Sequence, residues 1–283
     1  MTRVTRIRGR LGAIVLCTAL VSACEVSVAP RTDGTPSQLA LVSAPAGAMS
    51  GNAFTTQPVL AVLDAEGRPV TDQTGAPRVV QVVLGEGTGL LGGIVEAEVR
   101  DGVARFDGLG ITGGGSHGLR FTLVGHPVPP LVSSVLVVPP SDGVRLNVGA
   151  SSVVGGRLAR QLEVPLLVDL QNRGAQDLSA LTVRVTWDPQ RLSYVGNDPG
   201  DWRDVAGNAA SVTVNTEQAS AGEFRLSGFS VQPTTTSFRA RTLRFSPLQP
   251  GSSSIAATVT VAGTSSGASL PLVVRHLDVR VLQ

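Results

Sequence analysis

Leu181-Thr182-Val183-Arg184-Val185-Thr186-Trp187 alternates apolar and polar side chains without a break. Successive side chains of an extended strand point to opposite faces, so the apolar residues of this stretch share one face. We therefore predict a half-buried β-strand over residues 181–187, with the ring of Trp187 in a hydrophobic core.

Apolar runs of strand length recur on both sides of this stretch, and turn sequences such as Glu66-Gly67 and Asp101-Gly102 separate several of them. Such spacing is typical of antiparallel sandwiches. The predicted strands are 39–42, 59–63, 79–84, 94–99, 103–106, 119–124, 132–138, 162–170, 181–187, 211–215, 224–229, 238–245, 254–261 and 270–282. The sequence therefore predicts an all-β protein made of two β-sandwich domains in tandem.

Pro139-Pro140-Ser141-Asp142-Gly143 marks the expected boundary between the two domains. Proline fixes φ and lacks an N–H donor, and the Asp-Gly pair favours a turn, so strand pairing across this stretch is disfavoured. We predict a first module over residues 38–138, a short stiff linker over 139–143 and a second module over 144–283.

The N-terminus has the pattern of an export signal. Four arginines, Arg3, Arg6, Arg8 and Arg10, precede an uncharged run over residues 11–20, which is shorter than the ~20 residues that span a bilayer. Val21-Ser22-Ala23-Cys24 follows and resembles the lipobox of bacterial lipoproteins. The resemblance implies that residues 1–23 are removed and that Cys24 is acylated; an ordinary secretory signal is the alternative.

Residues 24–37 are rich in Pro, Thr, Ser and Gly and are predicted to form a lipidated flexible tether. Glu25 stands where lipoproteins retained at the inner membrane carry aspartate, so the resemblance implies the outer membrane as destination.

Charge and composition exclude several classes of function. All 23 basic residues are arginine, so Schiff-base chemistry through lysine is excluded. Without the four signal arginines, 19 remain against 21 acidic residues, and no basic cluster with interleaved aromatics suggests nucleic-acid binding. The two cysteines are Cys17 in the signal and Cys24, so no disulfide is expected.

Two motif-like strings are better explained by strands and loops than by catalysis. Residues 87–92 satisfy G-x-G-x-x-G but are followed by a predicted strand instead of a helix. Residues 114–118 satisfy G-x-S-x-G, but they fall in a predicted glycine-rich loop between strands and not in a strand–helix elbow. We predict that the protein is not an enzyme and needs no cofactor.

Each module resembles a known family of binding domains. Residues 58–70 and 101–109 resemble the bacterial Ig-like repeats of surface proteins and adhesins. Trp187-Asp188-Pro189-Gln190-Arg191-Leu192, residues 243–245 and the Gly-Ser turn of 250–255 resemble cohesin domains. That resemblance implies a jelly-roll sandwich related to carbohydrate-binding modules, and a dockerin-like partner that binds through a sheet face.

The polar segment between the predicted strands 181–187 and 211–215 is the candidate binding loop, and its proposed residues are Tyr194, Asp198, Asp201, Trp202 and Asp204. Its carboxylates, with Asn197 and Asn208, are oxygen ligands of the kind that Ca²⁺ prefers, although their spacing matches no EF-hand. Trp202 is either an exposed contact residue or a lid that folds over the end of the sandwich.

These observations predict a lipid-anchored lipoprotein of the cell envelope that acts as a non-catalytic binding or adhesion module. Protein–protein recognition by the cohesin-like domain is the first interpretation. The alternative is a glycan-binding accessory protein with an envelope polysaccharide as partner.

Cys24→Ser is expected to abolish membrane retention, because the sequence has no other apolar run long enough to anchor the chain. The measurement is detergent partitioning together with fatty-acid labelling. A Ser variant that stays in the membrane fraction, with a parent that takes up no label, would exclude the lipoprotein interpretation.

Overall fold

The computed structural model describes residues 34–70, 78–140, 143–158, 160–170 and 177–282. The predicted signal peptide, Cys24 and most of the predicted tether lie outside these residues. Within them the fold is all-β, and the helical structure is one 3₁₀ turn, Ala219–Ala221. In the described part of the chain, no helix is long and apolar enough to cross a membrane.

The first module is an antiparallel sandwich of nine strands. They are β1 Gln38–Ser43, β2 Val59–Leu63, β3 Val79–Glu86, β4 Leu90–Gly92, β5 Glu96–Arg100, β6 Val103–Arg105, β7 Gly110–Thr112, β8 Gly115–Leu123 and β9 Leu131–Val137. Seven of them pair in the order β1-β2-β6-β5-β3-β8-β9, and β4 pairs with β7. Membership in the family of bacterial Ig-like repeats stays a prediction.

The core of the first module is held by aliphatic and phenylalanine side chains. Phe106 and Phe121 meet edge to face with their ring centroids 5.4 Å apart, and Leu60, Leu119 and Ile111 are fully buried around them. Because β1 and β9 also come into contact, the sheet closes around this core.

The second module is a sandwich of eleven strands. They are β10 Val144–Val148, β11 Val153–Arg157, β12 Leu162–Asp169, β13 Leu178–Trp187, β14 Leu192–Pro199, β15 Ser211–Asn215, β16 Glu223–Thr234, β17 Phe238–Pro247, β18 Gly251–Gly263, β19 Leu272–Arg275 and β20 Leu277–Leu282. One sheet has the order β14-β17-β12-β10-β19 and the other the order β11-β20-β18-β13-β16-β15. The pairs β10–β19 and β11–β20 are parallel.

The alternating stretch at 181–187 lies in the middle of this module, as predicted. β13 pairs with β16 on one side and β18 on the other, and Leu181, Val183, Val185 and Trp187 face the core between the two sheets. The ring of Trp187 meets that of Phe245 at 5.0 Å, nearly perpendicular. The prediction that Trp187 is a core residue is confirmed.

Some boundaries differ from the sequence prediction because pairing partners decide where a strand continues. Residues 115–118, predicted as loop, belong to β8, where they pair with the end of β9. The predicted single strand 270–282 is two strands separated at His276; β19 joins the five-stranded sheet, whereas β20 joins the six-stranded sheet. The sequence prediction missed β4, β7, β10, β11 and β14.

The two modules meet at an interface in which backbones approach closely. A Cβ atom on Gly92 would lie 2.6 Å from the Ser151 nitrogen, and one on Gly108 would lie 2.5 Å from Val153 Cβ. Ser151 Oγ donates to the Gly108 carbonyl (2.7 Å) and Thr112 Oγ1 to the Ala150 carbonyl (2.9 Å). Glycine at these positions therefore permits a close approach of the two modules that any larger side chain would prevent.

A buried polar cluster also crosses this interface. Ser50 Oγ donates to Asp169 Oδ2 over 2.6 Å, Ser237 Oγ donates to Asp169 Oδ1 over 3.1 Å, and the guanidinium of Arg145 donates to the Ser50 carbonyl over 3.1 Å. Arg145 and Asp169 are cross-strand partners in β10 and β12. Both are almost fully buried although they lie on the outer face of their sheet, because the first module covers them.

The contacts between the modules restrict their relative orientation. Ser141 and Asp142 of the predicted linker lie outside the described residues, and the boundary at 139–143 stays a prediction. The described residues form one compact unit, with separate hydrophobic clusters within residues 39–137 and 144–281.

Gly92→Ala is expected to lower the free energy of unfolding by about 1–3 kcal/mol, because the added methyl group overlaps backbone atoms of the second module. Chemical denaturation measures this change. Gly263→Ala is the matched control, since its Cβ atom would have its nearest neighbour at 3.7 Å. Equal stability of Gly92→Ala and the parent would contradict the close approach.

Candidate functional site

Trp202 is buried in the structure, with 3% of its surface exposed. Its indole ring stacks on Phe238 at a centroid distance of 4.7 Å, its Nε1–H donates to Thr234 Oγ1 over 2.8 Å, and its ring lies against Gly228, where a Cβ atom would come within 2.5 Å. Trp202 is thus the lid between the two sheets. The alternative interpretation, in which Trp202 is an exposed contact for a ligand, is wrong because the ring is buried. The sequence could not show this, since the loop has no strand periodicity to indicate that the chain folds back over the core.

Tyr194 belongs to the same end of the core. Its ring stacks on Trp187 at 5.9 Å and approaches Phe224 and Phe245 at 6.0 and 6.1 Å, and its hydroxyl accepts a hydrogen bond from Asn197 Nδ2. The ring face is therefore occupied by other aromatics and does not offer a platform for a sugar.

Asp204 holds the loop together. Its Oδ1 accepts the backbone N–H groups of Ala206 and Asn208, both over 2.9 Å, and its Oδ2 accepts Asn208 Nδ2. Burial by itself would raise the pKa of Asp204, but the hydrogen bonds from Asn208 and the loop backbone favour the ionised form and leave the pKa below its ordinary value. This carboxylate is occupied by the protein's own donors.

Asp198 and Asp201 lie beside arginines of β17. Asp198 Oδ2 is 3.5 Å from Arg244 Nε, and Asp201 Oδ2 is 3.7 Å from Arg239 Nη2, while Asp201 Oδ1 accepts the Arg239 backbone N–H. About half of each carboxylate side chain is exposed. Of the five predicted loop residues, these two are therefore reachable by a ligand.

The acidic side chains of the candidate loop do not form a metal-binding cluster with one another. Across residues 34–70, 78–140, 143–158, 160–170 and 177–282, no group of three or more His, Cys, Asp and Glu side chains is placed to hold a metal ion.

The G-x-S-x-G string lies in β8, with no helix after it. Ser116 is exposed, whereas His117 is buried and its Nε2 is 3.0 Å from the Gly113 carbonyl. The His117 ring lies against Gly87, where a Cβ atom would come within 2.2 Å of Nδ1. The two side chains lie on opposite faces of the strand, so the histidine cannot activate the serine.

The outer face of the six-stranded sheet carries an exposed apolar cluster that the sequence prediction missed. Phe229, Val231 and Val261 are 56%, 84% and 50% exposed. Phe229 lies across from Ala180 of β13, and Val261 across from Thr182. We call these residues, with Ala180, the apolar patch.

Polar side chains flank the apolar patch along the same face. Thr182 Oγ1 donates to Ser227 Oγ over 3.2 Å in the next row, and Arg184 lies across from Arg225 in the row after that. Arg225 Nε pairs with Glu223 at 2.6 Å. Along this face the side chains therefore change from apolar to hydroxyl-bearing and then to cationic.

A change of phase in β16 could have revealed this face. Phe224 and Leu226 point inward, but after Gly228 the apolar residues fall on the alternate positions Phe229 and Val231. Because side chains alternate with a period of two, such a switch places large apolar groups in solvent unless the strand bulges.

Comparison with known proteins finds similarity to solved cohesin structures. No protein-family model matches the chain, and no curated protein matches it. A non-cellulosomal cohesin from Archaeoglobus fulgidus is 10% identical with a TM-score of 0.40, over 50% of this chain and 92% of the cohesin. A type I cohesin of Clostridium thermocellum, in a cohesin–dockerin complex, is 13% identical with a TM-score of 0.42, over 50% and 100%. The sixth cohesin of scaffoldin B from Acetivibrio cellulolyticus, in complex with a dockerin, is 18% identical with a TM-score of 0.41, over 50% and 99%.

Trp202→Ala and Trp187→Ala are each expected to lower the free energy of unfolding by about 3–5 kcal/mol, because both rings fill the core. Phe229→Ala is the matched aromatic control on the surface, with an expected change within about 0.5 kcal/mol. Urea denaturation measures all three. A Trp202→Ala protein as stable as the parent would contradict the assignment of Trp202 as a lid over the core.

Proposed function

We propose that the protein is a non-catalytic recognition module of the cell envelope that binds a partner protein through the outer face of its six-stranded sheet. The observation that carries the proposal is the apolar patch, in which Phe229, Val231 and Val261 are half or more exposed on one sheet face. An exposed apolar cluster with a polar rim is typical of protein interaction sites.

The opposite sheet supports this assignment because its outer face is already partly used. Arg145, Asn147 and Asp169 point outward from β10 and β12 but are buried by the first module. In the second module, the face of β13, β16 and β18 is left open for a partner. The sequence resemblance to cohesins makes a dockerin-like protein the expected partner.

The first module acts as a spacer in this proposal. The chain enters it at Gln38, which pairs with Leu63, whereas Ser50, between β1 and β2, and Gly92 of β4 contact the second module. β8 spans nine residues, about 30 Å at ~3.3 Å per residue, along the length of the module. With Cys24 acylated, the tether would attach the protein to a membrane, and the resemblance to lipoproteins implies the outer membrane.

Phe229→Ser combined with Val231→Ser is expected to weaken partner binding by about tenfold or more, because interface energy concentrates in a few buried anchors. The measurement is titration calorimetry of the full chain in detergent against a set of purified dockerin modules, with envelope proteins captured in parallel. Leu136→Ser, on the first module and 69% exposed, is the matched control.

Two results would contradict the proposal. In the first, the double variant captures the same partner with unchanged affinity while Leu136→Ser weakens it. In the second, neither dockerins nor envelope proteins bind the parent chain.

A further inference from the structure

Arg184 is an exposed cation on the outer face of the six-stranded sheet. It lies on β13, where Ala180, Thr182 and Arg184 point outward in succession and alternate with the core residues 181, 183 and 185. Arg225 of β16 and Thr258 of β18 stand across from it on the two neighbouring strands. The surface that begins at the apolar patch therefore continues along one strand, through a hydroxyl-bearing row, to this arginine.

The positive charge of this row is compensated only in part. Arg225 Nε pairs with Glu223 over 2.6 Å, whereas the guanidinium group of Arg184 forms no ion pair or hydrogen bond with any residue that the structure describes. Like charges directly opposite each other on neighbouring strands destabilise a sheet. Because one carboxylate serves two guanidinium groups, one further carboxylate would neutralise this part of the face.

A partner that covers the apolar patch and extends over Arg184 has to supply that carboxylate. Covering the row removes water from the guanidinium group, and a charge that is desolvated without a partner costs several kcal/mol. The chemistry of the face thus requires a contact surface that is apolar at one end and acidic at the other.

The backbone of β13 restricts the shape of the occupant. β13 pairs with β16 on one side and with β18 on the other, so its N–H and C=O groups are used within the sheet. An extended peptide on this face could not form the main-chain hydrogen bonds that stabilise strand addition at a sheet edge. A helix satisfies its backbone internally and can contact such a face through side chains alone.

The distance between the apolar and the cationic rows fits such a helix. Phe229 lies across from Ala180, and Ala180 precedes Arg184 by four residues, about 13 Å at ~3.3 Å per residue. A helix rises 1.5 Å per residue, so this distance corresponds to about eight or nine residues. Positions seven and eight residues after an anchor stay on the same helix face, and the length of an arginine side chain spans the remainder.

We infer that the partner contacts this face through an amphipathic helix that carries a carboxylate seven or eight residues away from an apolar anchor, and that Arg184 selects the partner by pairing with this carboxylate. The inference rests on the proposed function, because it uses the apolar patch of the same face. A helix with a lysine at that position would be repelled, which is a common source of specificity at interfaces.

A polyanion fits the face less well than an acidic helix. A nucleic acid or an anionic polysaccharide would leave Phe229 and Val231 in water. It would also meet two guanidinium groups, one of them already paired with Glu223, instead of a basic groove.

The test is calorimetric titration with three side-chain-stapled helical peptides that share leucines at positions i and i+4 and carry Glu, Gln or Lys at positions i+7 and i+8. The reference protein is the full chain with Cys24→Ser, so that no detergent is present to take up the peptides. It is expected to bind the Glu peptide at least about tenfold more tightly than the Gln peptide, and the Lys peptide most weakly. The preference should decrease as salt is raised.

Substitution of Arg184 should change the order of the three affinities. Arg184→Gln is expected to remove the preference for the Glu peptide, and Arg184→Glu to reverse it in favour of the Lys peptide. Arg120→Glu is the matched charge reversal at an exposed arginine of the first module, and it should keep the reference order. The Phe229→Ser, Val231→Ser protein should bind all three peptides more weakly in the same order.

The inference is overturned if the reference protein binds the three peptides equally, if it binds none of them, or if folded Arg184→Glu protein still prefers the Glu peptide. Failure of the proposed function is a different result, because it requires that neither dockerins nor envelope proteins bind the parent chain, whatever the order of the peptides.

Discussion

The buried hydrogen bond between Ser50 and Asp169 is the constraint on which the arrangement of the modules depends. Asp169 accepts from Ser50 of one module and Ser237 of the other, and Arg145 reaches the Ser50 carbonyl. Removing one partner from such a buried polar group costs far more than the hydrogen bond contributes, since the remaining group stays desolvated. Separating the modules would expose this cluster and the glycine contacts around it together.

This interface determines which surfaces are available for binding. It covers the outer face of the five-stranded sheet at β10 and leaves β17 at the border of a cleft. In the second module it leaves the face of β13, β16 and β18 uncovered. The proposed protein-binding face and the cleft thus lie on opposite sides of one sandwich.

The candidate loop shows why a polar stretch is a poor guide to a site. Asp204 and Trp202 are both buried at the end of the sandwich, where they order the loop and close the core. Asp198 and Asp201 keep exposed oxygens, but their neighbours are arginines that lie about forty residues further along the chain. Spacing within the loop carries no information about those neighbours.

The sequence by itself determined the all-β class and the burial of Trp187, because a period-two pattern in one strand fixes which face meets the core. It also supported the predictions of an export signal, an acylated Cys24 and a linker at 139–143, which depend on local composition. Only the tertiary structure decided the burial of Trp202, the split of residues 270–282 between two sheets and the cover over Arg145. Each of these depends on a partner far away in the chain, and alternation of side chains specifies two faces of a strand without specifying what packs on either one.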